Sequence, residues 1–569
     1  MKTKEDSDIE RRLLLAILLS MAVLFTAPYL LRYFNPAPPV PPVTETTIQS
    51  EETRVEAPTA VERAELEATA TEAVPESGPA TSAEPVDIVV ESESMRLRFT
   101  NVGAALASVR LRDILADDGE DLELLPQGGL SRRPLSIYLD GDVRPDRLAT
   151  AVFEVSSGSS ANLRAPATLQ FEYRDEDVSV TRRIHIAESG YLLEVETEVV
   201  DRSRSIPFGI SLGAGIGDPP DGASSDFLNP ALAFLKEGSI ERYEIGDLDE
   251  GPVRLETASG WAAVDSKYFA LLLFQPGAVR NLLMETESWT PADAEEGAES
   301  LGLVAGTVGL AAGSSFTLFV GPKREEELKV LDPSLVELIN YGWFGPLVRP
   351  LMAALRWING WADNWGWSII ILTFLINLAL FPIRYKQMAS MKKMSELQPQ
   401  LKSIQDKYKR MKRDDPRKQQ MNTEVMGLYK QHGVNPLGGC LPLVLQMPIL
   451  FAFFRMLDAS IELRGAPFIF WIQDLSKADP YYITPIVMGI SMVAQQKMTP
   501  ATGDPTQRKM MMFLPVVFTF FFLNFSSGLV VYFLFSNLFA MMLQLGLQKL
   551  KPELAKRKAG AKKTGKPKK

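Results

Sequence analysis

GWSIIILTFLINLALFPIRY, residues 366–385, is the stretch that decides the fold. It is nearly all apolar and long enough to cross a bilayer as a helix. A second apolar run follows NPLGGC and covers 441–454. Between the two, residues 386–432 carry far more Lys and Arg than their few carboxylates balance. A basic loop between two spans lies on the cytoplasmic side. Depth, orientation and a working surface therefore all follow from this one region.

The remaining composition narrows the function. The chain has 569 residues and a net charge of −10, but the acid lies upstream, mainly over 45–327, and the C-terminal third is basic wherever it is not apolar. Such a division points to two compartments rather than to an acidic protein. Cys440 is the only cysteine, so no disulfide and no cysteine-based metal site is expected. His185 and His432 are the only histidines, which excludes a catalytic histidine cluster. Neither GxxxxGK[ST] nor GxSxG occurs. The chain reads as no enzyme, with no catalytic residue, no metal and no cofactor.

Taken in order, residues 1–12 form a cytoplasmic N-terminus and 13–31 an apolar signal-anchor helix after Lys2, Lys4, Arg11 and Arg12; a cleaved signal peptide is the alternative. Residues 32–85 are rich in Pro, Glu, Ala and Thr and cannot bury enough apolar surface to order themselves, so they read as a disordered tether. Over 86–322, short alternating runs such as MRLRFT (95–100), VSVTRRIHI (178–186) and LLEVETEVV (192–200) alternate with turn signals. That pattern predicts a large all-β sandwich on the periplasmic side, its charges on solvated outer faces. Residues 323–365 form an amphipathic, tryptophan-rich interfacial helix region, with Val348, Leu351, Met352, Leu355 and Ile358 at helical spacing.

The helical part divides into spans at 366–385, 434–457, 481–498, 509–525 and 529–548, with a periplasmic loop at 458–480 and a cytoplasmic loop at 499–508. With the anchor this makes six spans, both termini inside, and a densely basic cytoplasmic tail at 549–569. Residues 386–433 carry apolar positions three and four apart and predict a cytoplasmic helical hairpin. Pro399 should kink its first helix, and Pro382 is a natural place for the preceding span to end. Arg455 reads as a snorkelling or paired residue at the outer interface, with Asp458 within pairing reach.

Polar residues recur where lipid is expected. Thr373, Asn377 and Arg384 share one face of the span at 366–385; Gln446 lies in the next, Ser491 and Gln495 in the fourth, Asn524 near the end of the fifth, and Tyr532 with Ser536 in the sixth. Together they suggest a hydrophilic groove for a substrate, although the same residues would also serve as hydrogen bonds between helices. Met388, Met391 and Met426 lie in the hairpin, where adaptable methionine surfaces suit the reception of varied apolar segments.

NWGWSIIILTF (364–374), FPIRYKQMASMKKM (381–394), LYKQHGVNPLGGCLPLVLQMPI (428–449) and SGLVVYFLFSN (527–537) resemble the YidC/Oxa/Albino family of membrane protein insertases, and GWAAVDSKYFA (260–270) resembles the periplasmic domain of its Gram-negative members. The resemblance implies a five-span insertase core with a hydrophilic intramembrane groove, which inserts and helps fold nascent membrane proteins in the bacterial inner membrane, alone or beside the Sec translocon. It also implies ribosome contact through the basic tail, without recognition of a nucleic acid sequence, and contact with membrane lipid. The family carries a cation where this chain has Asn377, so Arg384 becomes the candidate replacement. A solute or lipid transporter with a polar cavity, or a membrane-anchored periplasmic scaffold, are the competing classes.

Overall fold

The computed structural model describes residues 84–564, apart from 117, 129, 131, 140–145, 157–161, 218–230, 237, 257–258, 276–278, 291–299, 409–416, 434–440 and 499–504. The anchor at 13–31 and almost all of the tether lie outside the described residues, as do Cys440 and the hairpin turn.

Strands fill the region from Asp87 to Pro322, where three antiparallel-rich sheets have five, ten and five strands. Alternation explains their formation. In Val178–Ile186, VSVTRRIHI, every second residue is buried, which places one face on the core. The ten-stranded sheet packs against the strand Leu301–Leu310 so closely that a Cβ at Gly306 would overlap the Leu232 side chain. A single helical turn, α1 (Arg147–Thr150), adds Leu148 to this core. Arg182 departs from the expected solvated faces. It falls on the inward register and is fully buried, donating to the carbonyls of Ala104 at 2.9 Å and Leu135 at 2.5 Å and to Thr197 Oγ1 at 3.1 Å. Burial pushes its guanidinium down to about 9, because no carboxylate offsets the loss of water.

Nine further helices are described: α2 (Glu325–Leu331), α3 (Gly345–Ala362), α4 (Trp365–Glu396), α5 (Gln398–Tyr408), α6 (Arg417–Gln431), α7 (Leu441–Ala459), α8 (Ile483–Met498), α9 (Pro505–Phe522) and α10 (Ser527–Thr564). Within α4 and α10, Trp365–Lys386 and Ser527–Gly546 are long and apolar enough to cross a membrane, and Met512–Phe522 is a shorter apolar helix. The region at 323–365 is not one helix but α2, two 3-10 turns and α3. Val348, Met352, Leu355 and Ile358 of α3 are buried, while Trp357 and Trp361 remain exposed.

Two proline expectations are corrected. The span does not end at Pro382, since α4 runs unbroken through it to Glu396. The break falls instead at Leu397, and Pro399 sits in the first turn of α5, where a missing N–H costs nothing. Lys407 Nζ at 2.9 Å and Tyr408 Oη at 2.8 Å both donate to Glu424 Oε1 and tie α5 to α6. His432 is exposed at the end of α6, its Nδ1 3.0 Å from the Leu428 carbonyl.

The strand region is joined to the helices through side chains, not only through chain connectivity. Lys323, at the end of the last strand, is buried with Asp265 at 3.0 Å, and Arg242 Nη2 donates to the Leu338 carbonyl at 2.9 Å beside them. Arg356 of α3 holds Glu325 of α2 at 2.8 Å and Glu462 at 2.7 Å. Of the two expectations for Arg455, the pairing is corrected, because Asp458 is held by Lys267 of the strand region, and Arg455 is exposed.

Candidate functional site

The helix α4 carries Thr373, Asn377 and Arg384 four and seven residues apart, so one face presents all three. Thr373 and Asn377 are buried. Thr373 Oγ1 donates to the Ile369 carbonyl at 2.6 Å, and Asn377 Nδ2 donates to the Thr373 carbonyl at 2.8 Å. Each thus satisfies a donor on its own helix. Asn377 Oδ1 is left buried without a hydrogen-bond partner. Two turns along, Arg384 leaves its helix: its Nη2 donates to Gln446 Oε1 of α7 at 2.9 Å.

Gln446 passes the connection on, its Nε2 donating to Tyr532 Oη of α10 at 3.2 Å. Tyr532 is buried and lies flat on Phe453, ring centroids 4.1 Å apart. The stack holds the ring, so the hydroxyl stays aimed at Gln446. A relay of three polar side chains, Arg384–Gln446–Tyr532, therefore links α4, α7 and α10. Its one cation faces an amide and a phenol rather than a carboxylate, so its charge is not neutralised within the relay.

The other candidates fall elsewhere. Ser491 of α8 is buried, donates to the Met488 carbonyl at 2.6 Å and accepts from Asn537 Nδ2 of α10 at 3.2 Å. Ser536 is buried on α10, and Gln495 is half-buried on α8. Asn524 is not inside the bundle: it is exposed in the short turn between α9 and α10, because α9 ends at Phe522. Met426 is exposed on α6; Met388 and Met391 fall on α4, with their side chains outside the described residues.

Asn537 and Gln544 escaped the sequence reading. Gln544 is buried and donates to the Met498 carbonyl at 2.6 Å. The two lie seven residues apart, on a common face of α10 that meets α8, and that spacing was the available signal. Phe453, the platform under Tyr532, carries no signal in an apolar run.

A family model described as the 60Kd inner membrane protein matches residues 357–554, and one described as the YidC periplasmic domain matches residues 87–354. The chain is 35% identical to the membrane protein insertase YidC of Wolinella succinogenes over 98% of each chain. It is 31% identical to that of Geotalea daltonii over 96% of this chain and 100% of the relative. Among solved structures, an active YidC insertase is 18% identical, with a TM-score of 0.35 over 82% of this chain and 94% of that one. A galactose mutarotase related enzyme from Lactobacillus acidophilus is 13% identical, with a TM-score of 0.27 over 41% of this chain. Since similarity to curated relatives extends across both the strand region and the helices, the chain belongs to the YidC family of membrane protein insertases.

Proposed function

We propose that this insertase draws the polar outer segment of its substrate into the bundle by means of the Arg384–Gln446–Tyr532 relay. The chain is an inner membrane protein with a β-rich periplasmic domain and a helical core, and it inserts membrane proteins rather than catalysing a reaction. The observation carrying the proposal is the 2.9 Å bond from Arg384 to Gln446, which turns the cation toward α7 and α10. A guanidinium held by neutral partners keeps its charge available, and its attraction for a carboxylate strengthens where water is excluded. Asn377, two turns deeper, adds an open acceptor for a substrate N–H.

Six spans with both termini in the cytoplasm complete this reading, supported by the basic stretch after Lys386 and the basic C-terminal tail. The hairpin α5–α6 with Met426, together with Met388 and Met391 near the end of α4, would receive the apolar segment. The Lys-rich tail suits the polyanionic surface of a ribosome, Sec components are the natural membrane partners, and lipid flanks the exposed helix faces.

The test is complementation of a depleted host with relocated charge. Arg384→Ala should slow insertion of substrates with acidic outer tails, Arg384→Lys should retain it, and Arg384→Ala with Asn377→Arg should recover it. Insertion at the normal rate by Arg384→Ala overturns the role of the cation. Intact insertion with lost solute uptake on depletion would favour a transporter instead.

A further inference from the structure

The segment joining α7 to α8 is built against the starts of α4, α8 and α10. Asn364 caps α4 by accepting from Trp367 N at 3.1 Å, and its Nδ2 donates to the carbonyls of Pro467 at 3.2 Å and Phe468 at 3.3 Å. At Gly366 no Cβ would fit against the Phe468 ring. Asp479 is buried; Oδ1 accepts from Trp471 Nε1 at 3.0 Å and Tyr481 N at 2.9 Å, and Oδ2 from Thr484 N and Oγ1, each at 2.7 Å, at the start of α8. The start of α10 is satisfied as well, Ser527 N donating to the Lys477 carbonyl at 2.6 Å and Gly528 N to the Leu475 carbonyl at 2.9 Å. The N-termini of α4, α8 and α10, which would otherwise leave N–H groups unpaired, are thus gathered on one loop.

The outer side of this loop is aromatic. Phe470 is 80% exposed and Tyr481 65% exposed, flanking Trp471, with which they make a stacked pair at 5.9 Å and an edge contact at 6.4 Å. Phe470 and Tyr482 hold φ of 55° and 56°, a left-handed backbone that bulky side chains rarely adopt. The capping contacts hold the backbone there and keep two rings turned outward, where water alone would not favour them.

The depth of the loop identifies what covers the rings. The apolar part of α4 begins at Trp365 and has 22 residues, a rise of about 33 Å at 1.5 Å per residue, close to the thickness of a bilayer's hydrocarbon core. Its first turn therefore lies at the edge of the hydrocarbon. Asn364 bonds directly to Pro467 and Phe468, which puts the loop at that level, and Phe470 is only two residues further on. Tyrosine rings, with their polar tip, prefer the headgroup region at that depth, and the wholly apolar Phe470 ring fits the glycerol level just beneath it. Between Gly465 and Tyr482 the loop carries one lysine and two aspartates, so no charge patch invites a polar partner instead.

We propose that residues 464–482 form a membrane-interface anchor, seating Phe470, Tyr481 and Tyr482 among lipid headgroups and glycerols and holding the starts of α4, α8 and α10 at one depth. This rests on α4 crossing the membrane and is independent of the relay. In a full-length chain carrying Cys440→Ser, spin labels placed through Phe470→Cys or Tyr481→Cys are compared with Glu188→Cys, an exposed strand-region site. The protein is reconstituted in vesicles of phosphatidylethanolamine and phosphatidylglycerol. The ratio of oxygen to nickel-chelate accessibility should be several-fold higher at 470 and 481 than at 188. Equal ratios overturn the proposal, and so do labels that are water-exposed in vesicles but shielded in native membranes, which would assign a protein partner. Asp479→Ala should raise label mobility at 470 and lower the oxygen preference; an unchanged spectrum overturns the clamp.

Discussion

Lys267 Nζ lies 2.5 Å from Asp458 Oδ1, and this ion pair joins the β-rich domain to the last turn of α7 across 191 residues of sequence. Burial alone would weaken the lysine's charge, but the neighbouring Tyr268 and Asp458 more than offset it and hold its pKa above the ordinary value. The domain is thus docked on the same helix that carries Gln446, and it does not merely hang from a tether.

The dock should be measurable. Both side chains are about one-third exposed, so Lys267→Met should cost about 1 kcal/mol of stability, between the values for surface and buried pairs. The exchange Lys267→Asp with Asp458→Lys should restore most of it. A double-mutant cycle in unfolding of the full-length chain checks this, and a coupling near zero would show that the pair contributes nothing.

Arg356 is the larger node. It faces Glu325 and Glu462, each only 16% exposed, so Arg356→Ala leaves Glu462 without its cation and Glu325 with Lys329 alone, and should cost about 3 kcal/mol. Arg356→Lys should recover only part, because lysine cannot present the same fork to both.

The node also has a pH signature. Burial alone would raise the Glu325 pKa, but hydrogen bonds and charge from Lys329 and Arg356 hold it below the usual carboxylate range. A depressed pKa adds stability above the unfolded value, near about 4.3, and that stability is lost as pH falls below it. The difference in Tm between wild type and Arg356→Ala should therefore be full at pH 6 and shrink toward pH 3. A constant difference would mean that packing, not charge, carries the effect.

Tyr532→Phe isolates the hydroxyl of the relay. The ring keeps its stack on Phe453, so stability should fall by only about 1 kcal/mol for the lost partner of Gln446. Insertion of acidic-tailed substrates should fall further than stability does, read by pulse-labelled protease protection. Equal, small effects on both would place Tyr532 in packing alone.

Gly366→Ala should disturb the outer end of α4, because the added methyl meets the Phe468 ring; a cost of about 1–3 kcal/mol is expected. Phe468→Leu in the same chain should relieve it, as seen by thermal unfolding. No relief would locate the strain elsewhere.

Local pattern settled the elements. The alternation in VSVTRRIHI spells a strand whose ends agree to the residue with Val178–Ile186, and the apolar run from 366 spells a helix, because each depends on near neighbours along the chain. Charge distribution likewise separated the basic C-terminal third from the acidic domain before it. Thr373 and Asn377 were legible as one polar face because their spacing is helical. Which groups meet was decided only in three dimensions. Arg182 reads as a surface charge, yet its register turns it inward to carbonyls 47 and 78 residues away. Asp458 lies within pairing reach of Arg455 along the chain, but the docked domain supplies Lys267 as its partner. Pro382 reads as a helix end, yet α4 passes through it. Arg384 finds Gln446, and Gln446 finds Tyr532, because α4, α7 and α10 pack side by side. Periodicity specifies which face an element buries, whereas the partner across that face depends on which distant element packs there.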